Sequence, residues 1–550
     1  MSLSSVAFRM GVGLAAVAVI PSVAAASPRA RVTMDARAPG APATAAVCSS
    51  SGRGANHCHA HVRVTPAGEI QADAAPPGAP DGFGPDELQS AYQIDPTKAR
   101  PATVAIVDAY GYANLESDLA TYRAQYGLPP CTRANGCLKI VNQNGATSPL
   151  PGEPPPDDDW TVETALDVDM ASAACPSCKI LVVQASDTGA GMYTAQNAAA
   201  ALHPTVISDS WGLATQPDDD LAPLEPFFDH AGIAQFVSAG DSGYDEGGRG
   251  PAYPSISAHV IAVGGTALTQ SANQRGWSET AWTKGGSSCA YSIPKPAYQT
   301  ASPCGFRAAS DIAAVGDPAT GVAVYHAANG GWLVIGGTSA AAPLVAALFA
   351  ASGLGDITGA QLAQKTSALF DVTSGSNGTC GNLLCNAAAG WDGPTGFGTP
   401  SAAALTGTGG GGGPGPGTLG ATITSPADGD TLDAGFTVTA AISGPAVEVG
   451  LVIDGTLIRS TTAPPYAFAT PANLVFGPHR IAIAAIDAQQ HLVMHEIRVI
   501  VRIGSEPVST PEPETGKGGG CSVAGDRTAG SFVALLAAAL TAARRRRRVN

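Results

Sequence analysis

The chain has 550 residues, too many for one ordinary hydrophobic core, so two or three domains with connecting segments are expected. An apolar content of 45% against 13% charged residues excludes a disordered chain, while 67 Gly and 43 Pro call for many turns and linkers. Acidic residues outnumber basic ones by 44 to 29, and five of the basic ones form a terminal run at 544–548, so the strongly acidic body excludes nucleic acid and anionic membranes as its partners.

Residues 1–26 combine a single basic residue, a short apolar run and small residues around Ala26, the pattern of a secretory signal peptide that lies outside the fold. Export agrees with the cysteines, which fall in close pairs: Cys48/Cys58, Cys131/Cys137, Cys175/Cys178, Cys289/Cys304 and Cys380/Cys385. Such pairs suggest local disulfides in an oxidising compartment. Cys521 is left over. Residues 27–80 are rich in Ala, Pro and Arg without sustained periodicity and read as a loosely ordered leader. Within it "NHCHAHV" places His57, Cys58, His59 and His61 together. A metal site is one reading; a Cys48–Cys58 disulfide among alternating strand residues suits an exported chain better. In "DGFGPDELQSAYQI", Pro85 followed by Asp86 and Glu87 predicts the first turn of a helix.

From there to about residue 405, Val/Ile-rich runs at 103–110, 178–185, 205–212, 233–243 and 259–268 predict buried strands, each ending near Gly, Asp or Ser. Helical patterns at 160–174 and 339–352 lie between and after them. The alternation predicts an α/β fold with a mostly parallel sheet and helices on both faces. Sites in such sheets gather at the carboxyl ends of the strands. Residues 406–419 are a Gly/Pro linker, and 420–503 alternate apolar and polar residues in short, cysteine-free runs. That second pattern resembles an immunoglobulin-like sandwich, read as a spacer or a weak binding module. Residues 504–520 form a further linker.

The remaining stretch, 521–550, sets glycines and Cys521 before about sixteen small and apolar residues and then the arginine run. It resembles the MYXO-CTERM sorting tag of myxobacteria, which implies cleavage near the cysteine and display on the cell surface, or secretion after processing. The odd cysteine would then belong to sorting, and membrane contact would come only through the tag.

The chemistry begins with "VIGGTSAAAP" at 334–343, where Ser339 has the small-residue setting of a subtilisin-type nucleophile. A serine hydroxyl needs a base, a group that orients the base, and donors for the developing oxyanion. The ten histidines offer no suitable base: none follows a helix-start pattern, and His203, His230, His259 and His326 sit in unrelated segments. Carboxylates are the alternative. In "DDDWTVETALDVDMASAACPSC", Glu163 and Asp167 share one helix face roughly 6 Å apart. Their apolar neighbours make a merely solvated acidic face a poor description. In "SAGDSG", Asp241 follows a strand between Gly240 and Gly243; kept protonated, it would donate to an oxyanion. A turn-forming Asp is the plainer reading of the same residue.

Taken together, "ETALD", "SDSWG", "SAGDSG", "VGGTAL", "RAASDIAAVGDPATG" and "GGTSAAAP" resemble, in order, the sedolisin family of serine-carboxyl peptidases over roughly residues 80–405. The resemblance implies a subtilisin-like fold, Ser339 as nucleophile, Glu163 as its base, Asp167 orienting Glu163, and Asp241 as the oxyanion acid. Trp211 would line the substrate cleft, or else fill the core. One structural Ca²⁺ is implied as well. Asp371 and Asp392 would give carboxylates, and Val372, Ala388 and Gly390 would give carbonyls, an oxygen set suited to a hard cation. Ala388 replaces the family's usual Gly, without consequence for a carbonyl ligand. Most members of the family carry a large folded prodomain before the catalytic domain, whereas here only residues 27–80 separate the expected signal peptide from it. The implied activity is an exported, monomeric endopeptidase acting on proteins or peptides at acidic pH. Two rivals are a true subtilisin with Asp108 of "VAIVDAY" as triad acid, and an inactive surface adhesin or scaffold on a peptidase fold.

Overall fold

Runs such as "TVAIVDA" are apolar almost throughout because the strands they form are covered on both faces, as parallel strands between helices must be. The computed structural model of the chain describes residues 42–48, 55–73, 80–156, 158–406, 420–427, 429–443, 446–487 and 492–502. The expected signal peptide, the two linkers but for Thr406, and the sorting tag with Cys521 lie outside the described residues. No described helix is long and apolar enough to cross a membrane.

In chain order the strands are β1 Ala43–Ala46, β2 His57–Cys58, β3 His61–Val64, β4 Ala72–Asp73, β5 Thr103–Ala109, β6 Leu138–Asn142, β7 Lys179–Ala185, β8 Val206–Asp209 and β9 Trp211–Ala214. They continue as β10 Ala234–Ser238, β11 Ala252–Tyr253, β12 Ile261–Gln270, β13 Trp277–Ala281, β14 Cys289–Pro294, β15 Phe306–Ala308, β16 Ile312–Val315, β17 Val322–His326 and β18 Gly331–Gly336. The longer helices are α1 Pro85–Ala91, α2 Leu115–Gln125, α3 Trp160–Ala174, α4 Ala190–Ala201 and α5 Thr338–Ala351. The main sheet runs β13-β12-β10-β8-β5-β7-β6, with β16 also paired to β12. All of its pairings are parallel except β12 with β13. The predicted α/β fold is therefore present, and the predicted strands and helices recur within a few residues of their expected ends.

All fourteen residues of α5, "TSAAAPLVAALFAA", are buried, and all fifteen of α3 likewise. Alanine-rich faces let these two helices pack against each other and let α5 lie close to β8, β10, β12 and β16. Pro343 has no N–H to give the Ser339 carbonyl four residues back; the Ser210 hydroxyl lies 3.5 Å from that oxygen instead.

The leader departs from its expected loose order. Its described part forms β1 to β4, and Val47, Cys48, Cys58, Ala60, Val62 and Val64 belong to the main hydrophobic core. β3 pairs with β18 and β1, β4 pairs with β18, and β2 pairs with β9. The alternation that predicts such strands is only four residues long in "HVRV", too short to register as a period. Its outward Arg63 bonds the carbonyls of Pro318 and Ala319 at 2.9 and 2.8 Å, so the partner of this strand is more than 250 residues away.

The five expected cysteine pairs are all disulfides. Residues 420–502 form two β-sheets of three and five strands around a separate core that includes Val438, Leu451, Phe468, Ile481 and Ile483. This all-β domain follows the α/β domain, as the alternating pattern implied.

Candidate active site

Ser339 sits at the second residue of α5, where Gly337 takes φ +100° to turn β18 into the helix. A Cβ at Gly337 would lie 2.0 Å from the His59 oxygen and 2.5 Å from Asp241 Oδ2, so only glycine fits there. α3 packs on α5 and presents Glu163 and Asp167; β10 ends two residues before Asp241 is reached. Ser339, Glu163 and Asp167 are wholly buried and Asp241 nearly so.

The geometry among them is specific. Ser210 Oγ donates to Asp167 Oδ1 at 2.8 Å, fixing that carboxylate. Ser339 Oγ donates to the Ser210 carbonyl at 3.2 Å. Both Glu163 oxygens are buried without a partner in hydrogen-bonding geometry, although the Ser339 hydroxyl and Asp167 lie close enough to favour its charged form. Burial, and then the charge of Asp108, push Glu163 well above the usual carboxylate range, and the same two causes do so for Asp167. Asp108 itself, at the buried end of β5, is pushed up to about 7 by burial. Three carboxyl groups thus share one buried pocket. Asp241 Oδ1 accepts from the Thr338 amide at 2.7 Å and the Thr338 hydroxyl at 2.8 Å. Its Oδ2 is buried without a hydrogen bond, 3.6 Å from His61 Nε2. Burial raises this carboxyl to about 6, with the nearby His61 opposing the rise.

The Subtilase family model matches residues 159–372, and the Bacterial Ig domain model matches 420–483. Kumamolisin of Bacillus sp. (strain MN-32) is 33% identical over 408 residues, which span 66% of this chain and 71% of that protein. The chain belongs to the sedolisin family of serine-carboxyl peptidases. Sedolisin of Pseudomonas sp. (strain 101) is 29% identical over 374 residues, covering 60% of this chain and 61% of that one. A solved structure of Pseudomonas sedolisin, complexed with two molecules of pseudo-iodotyrostatin, superposes with a TM-score of 0.51 at 26% identity, covering 60% of this chain and 98% of that chain.

Within this sedolisin-family chain the expected residues fall in two places. Ser339, Glu163, Asp167 and Asp241 converge at the start of α5. Trp211 does not offer its ring to a cleft: it is fully buried, donates from Nε1 to the Val107 carbonyl at 2.9 Å and packs against Tyr193 and Phe228. Its backbone, paired with β2, is what borders the site. The second place is the loop pair 371–392. There Asp371 Oδ2 accepts from the Gly390 amide and Asp392 Oδ2 from the Ala388 amide, both at 2.9 Å. Asp371 Oδ1 is buried without a partner, and burial, with Asp371's charge contributing, raises Asp392 to about 7. Two close carboxylates with an orphaned oxygen, between Val372, Ala388 and Gly390, suit a hard cation.

Sequence reasoning passed over Ser210, Ser238, Thr338 and Glu246. Glu246 packs on Gly240 and is raised to about 8 by burial and then by Asp241's charge. The sequence offers Asp108 only as a subtilisin acid; in the structure no histidine bonds it, and both its oxygens lack a hydrogen-bond partner. His59 and His61 are the larger omission, because nothing in a short leader motif says that it reaches the nucleophile.

Proposed function

We propose that this chain is an exported endopeptidase that cleaves protein or peptide substrates at acidic pH with Ser339 as nucleophile. Glu163 takes the serine proton, Asp167 orients Glu163 with Ser210 behind it, and the protonated Asp241 donates to the oxyanion beside the Ser339 amide. The observation that carries this reading is the convergence of four buried acid and hydroxyl side chains with no imidazole hydrogen-bonded to Ser339 Oγ or Asp108 among the described residues. Attack on the peptide carbonyl gives an acyl-enzyme, which water then hydrolyses with Glu163 again moving the proton. Ca²⁺ held by Asp371, Asp392 and the carbonyls of Val372, Ala388 and Gly390 would neutralise the paired carboxylates and brace their loops. The signal-like pattern at 1–26 and the tag-like pattern at 521–550 support a site of action outside the cytoplasm, and the enzyme is expected to work as a monomer.

Activity on a denatured protein between pH 3 and 7, compared with the Ser339→Ala variant, tests the reading. Loss of hydrolysis in the variant is expected; equal activity would leave the adhesin or scaffold reading in its place.

A further inference from the structure

The peptidase reading leaves the all-β domain without a role, yet the surface of that domain is uneven. Among the described residues five large apolar side chains are exposed: Phe306, Val475, Phe476, Met494 and Ile500. Three of them meet at one end of the all-β domain. Val475 and Phe476 are 67% and 66% exposed in the loop that leads into the strand Gly477–Asp487. Ile500 is 48% exposed near the end of the strand Leu492–Arg502. The two strands pair antiparallel with Pro478 opposite Ile500, so the loop and the strand end are neighbours. The loop is fixed by His479, whose Nδ1 lies 2.6 Å from Asp454 Oδ2 and whose Nε2 lies 2.6 Å from the Val475 carbonyl oxygen. A held apolar tip of this kind marks a contact surface. Charge narrows the occupant. Arg480, Arg498 and Arg502 stand among Asp430, Asp433 and Asp454: Arg502 pairs with Asp433 at 2.9 Å, Asp454 accepts from the Arg480 amide at 2.9 Å, and the Asp430 carbonyl accepts from the Ile500 amide at 2.8 Å. A balanced rim round an apolar tip favours neither an acidic nor a basic partner. Chain direction narrows it further. The Ile423 amide donates to His495 Nδ1 and the Gly429 amide to the Arg498 carbonyl, so the first strand, Gly420–Ser425, runs alongside Leu492–Arg502 in the same direction. The linker from the peptidase domain therefore enters at the end away from the patch, and the chain leaves at the patch.

We propose that Val475, Phe476 and Ile500 seat the all-β domain on the surface of the lipid bilayer that the chain's own stretch 521–550 enters. The inference rests on the reading of 521–550 as a membrane-contacting tag and adds a second contact, made by the folded domain. After Arg502, residues 503–520 lead to Cys521 and the small and apolar stretch that ends in five arginines. A flexible coil of that length spans on the order of 25 Å, whereas the 11 residues of the strand Leu492–Arg502 extend over roughly 36 Å. With the tag in a bilayer, the patch end of the domain is within reach of the lipid surface and the opposite end is not. There the aromatic and aliphatic tips enter the boundary between headgroups and acyl chains, where apolar surface is buried without crossing the bilayer. The acidic body and the balanced rim give no attraction to anionic headgroups, so the lipid that suits this tip is zwitterionic. A three-residue tip holds a free domain only weakly. Tethered through 503–520 it acts as an intramolecular contact at high effective concentration. The two contacts together keep the end joined to the peptidase domain away from the lipid.

Full-length chain carrying Phe476→Trp, beside the wild type, tests this on phosphatidylcholine vesicles with a nitroxide on the shallow part of the acyl chain. Residues 420–503 contain no tryptophan, so the emission of the variant less that of the wild type reports position 476. On floated vesicles that emission is expected to shift to shorter wavelength and to be quenched. Adding Val475→Ser and Ile500→Ser should weaken the tip's contact at least about tenfold, read as loss of the quenching. Chain that floats with the vesicles while position 476 stays unquenched overturns the inference alone, and so does quenching that needs an added anionic lipid. A shift already present without vesicles and lost on dilution assigns the patch to a second copy of the chain and overturns it as well. Chain that does not float overturns the reading of 521–550 with it.

Discussion

Burial decides what each acid near Ser339 can do. Asp241, raised to about 6, is protonated below that pH and an anion above it, so under the proposed mechanism oxyanion stabilisation would be present in acid and lost as pH rises through about 6. Replacing it with alanine is expected to lower kcat by about 10²–10³-fold, the usual loss for one oxyanion donor. Asp241→Asn keeps an N–H donor at every pH and should flatten the fall near pH 6 while retaining more activity than the alanine variant, as a pH–rate series on both would show. Asp108 has a different signature. Its folded pKa of about 7 exceeds the ordinary carboxylate value of about 3.9, so the folded chain binds the extra proton. Stability is then full below the unfolded pKa and declines between about pH 4 and 7. Thermal midpoints measured across that range should fall for the wild type and fall less for Asp108→Asn. Glu163 and Asp167 were legible from their four-residue spacing in apolar company. Asp108 as their neighbour was not, because two separate elements bring it there.

At the scale of elements, the turn from β18 into α5 is the least tolerant joint. Gly337→Ala meets the His59 oxygen at 2.0 Å and forces a methyl group onto φ +100°, so it should lower the midpoint by several degrees and lower peptidase activity with it. On the proposed calcium reading, the loops at 371–392 would depend on charge compensation of Asp371 and Asp392. A chelator is expected to lower the midpoint of the wild type, and Asp392→Ala should remove that response to chelator and added Ca²⁺; an unchanged midpoint would count against the cation. The parallel strands could be read in advance because burial on both faces leaves a continuous apolar run, and α3 and α5 because their length exceeds any strand's. β1 to β4 could not. Two- and four-residue strands have no measurable period, and the partners that tie β2, β3 and β4 to the body, β9 and β18, are over 150 residues downstream.

For the whole molecule, one core spans the leader and the peptidase body and a second lies within 420–502. Two separate thermal transitions are therefore expected, and only the first should respond to pH near the carboxyl cluster and to Ca²⁺. Composition called for two or three domains and the order of motifs pointed to the family, but the burial of the site comes from tertiary contacts alone. The proposed chemistry rests above all on a carboxylate doing what an imidazole does in a subtilisin. The most direct test is kcat/KM of the purified enzyme between pH 3 and 8, measured beside Glu163→Gln. Activity is expected to fall about tenfold per pH unit above about 6, with a loss of at least about 10³-fold in Glu163→Gln. A flat profile from pH 4 to 8, or a Glu163→Gln enzyme within tenfold of wild type, would contradict it.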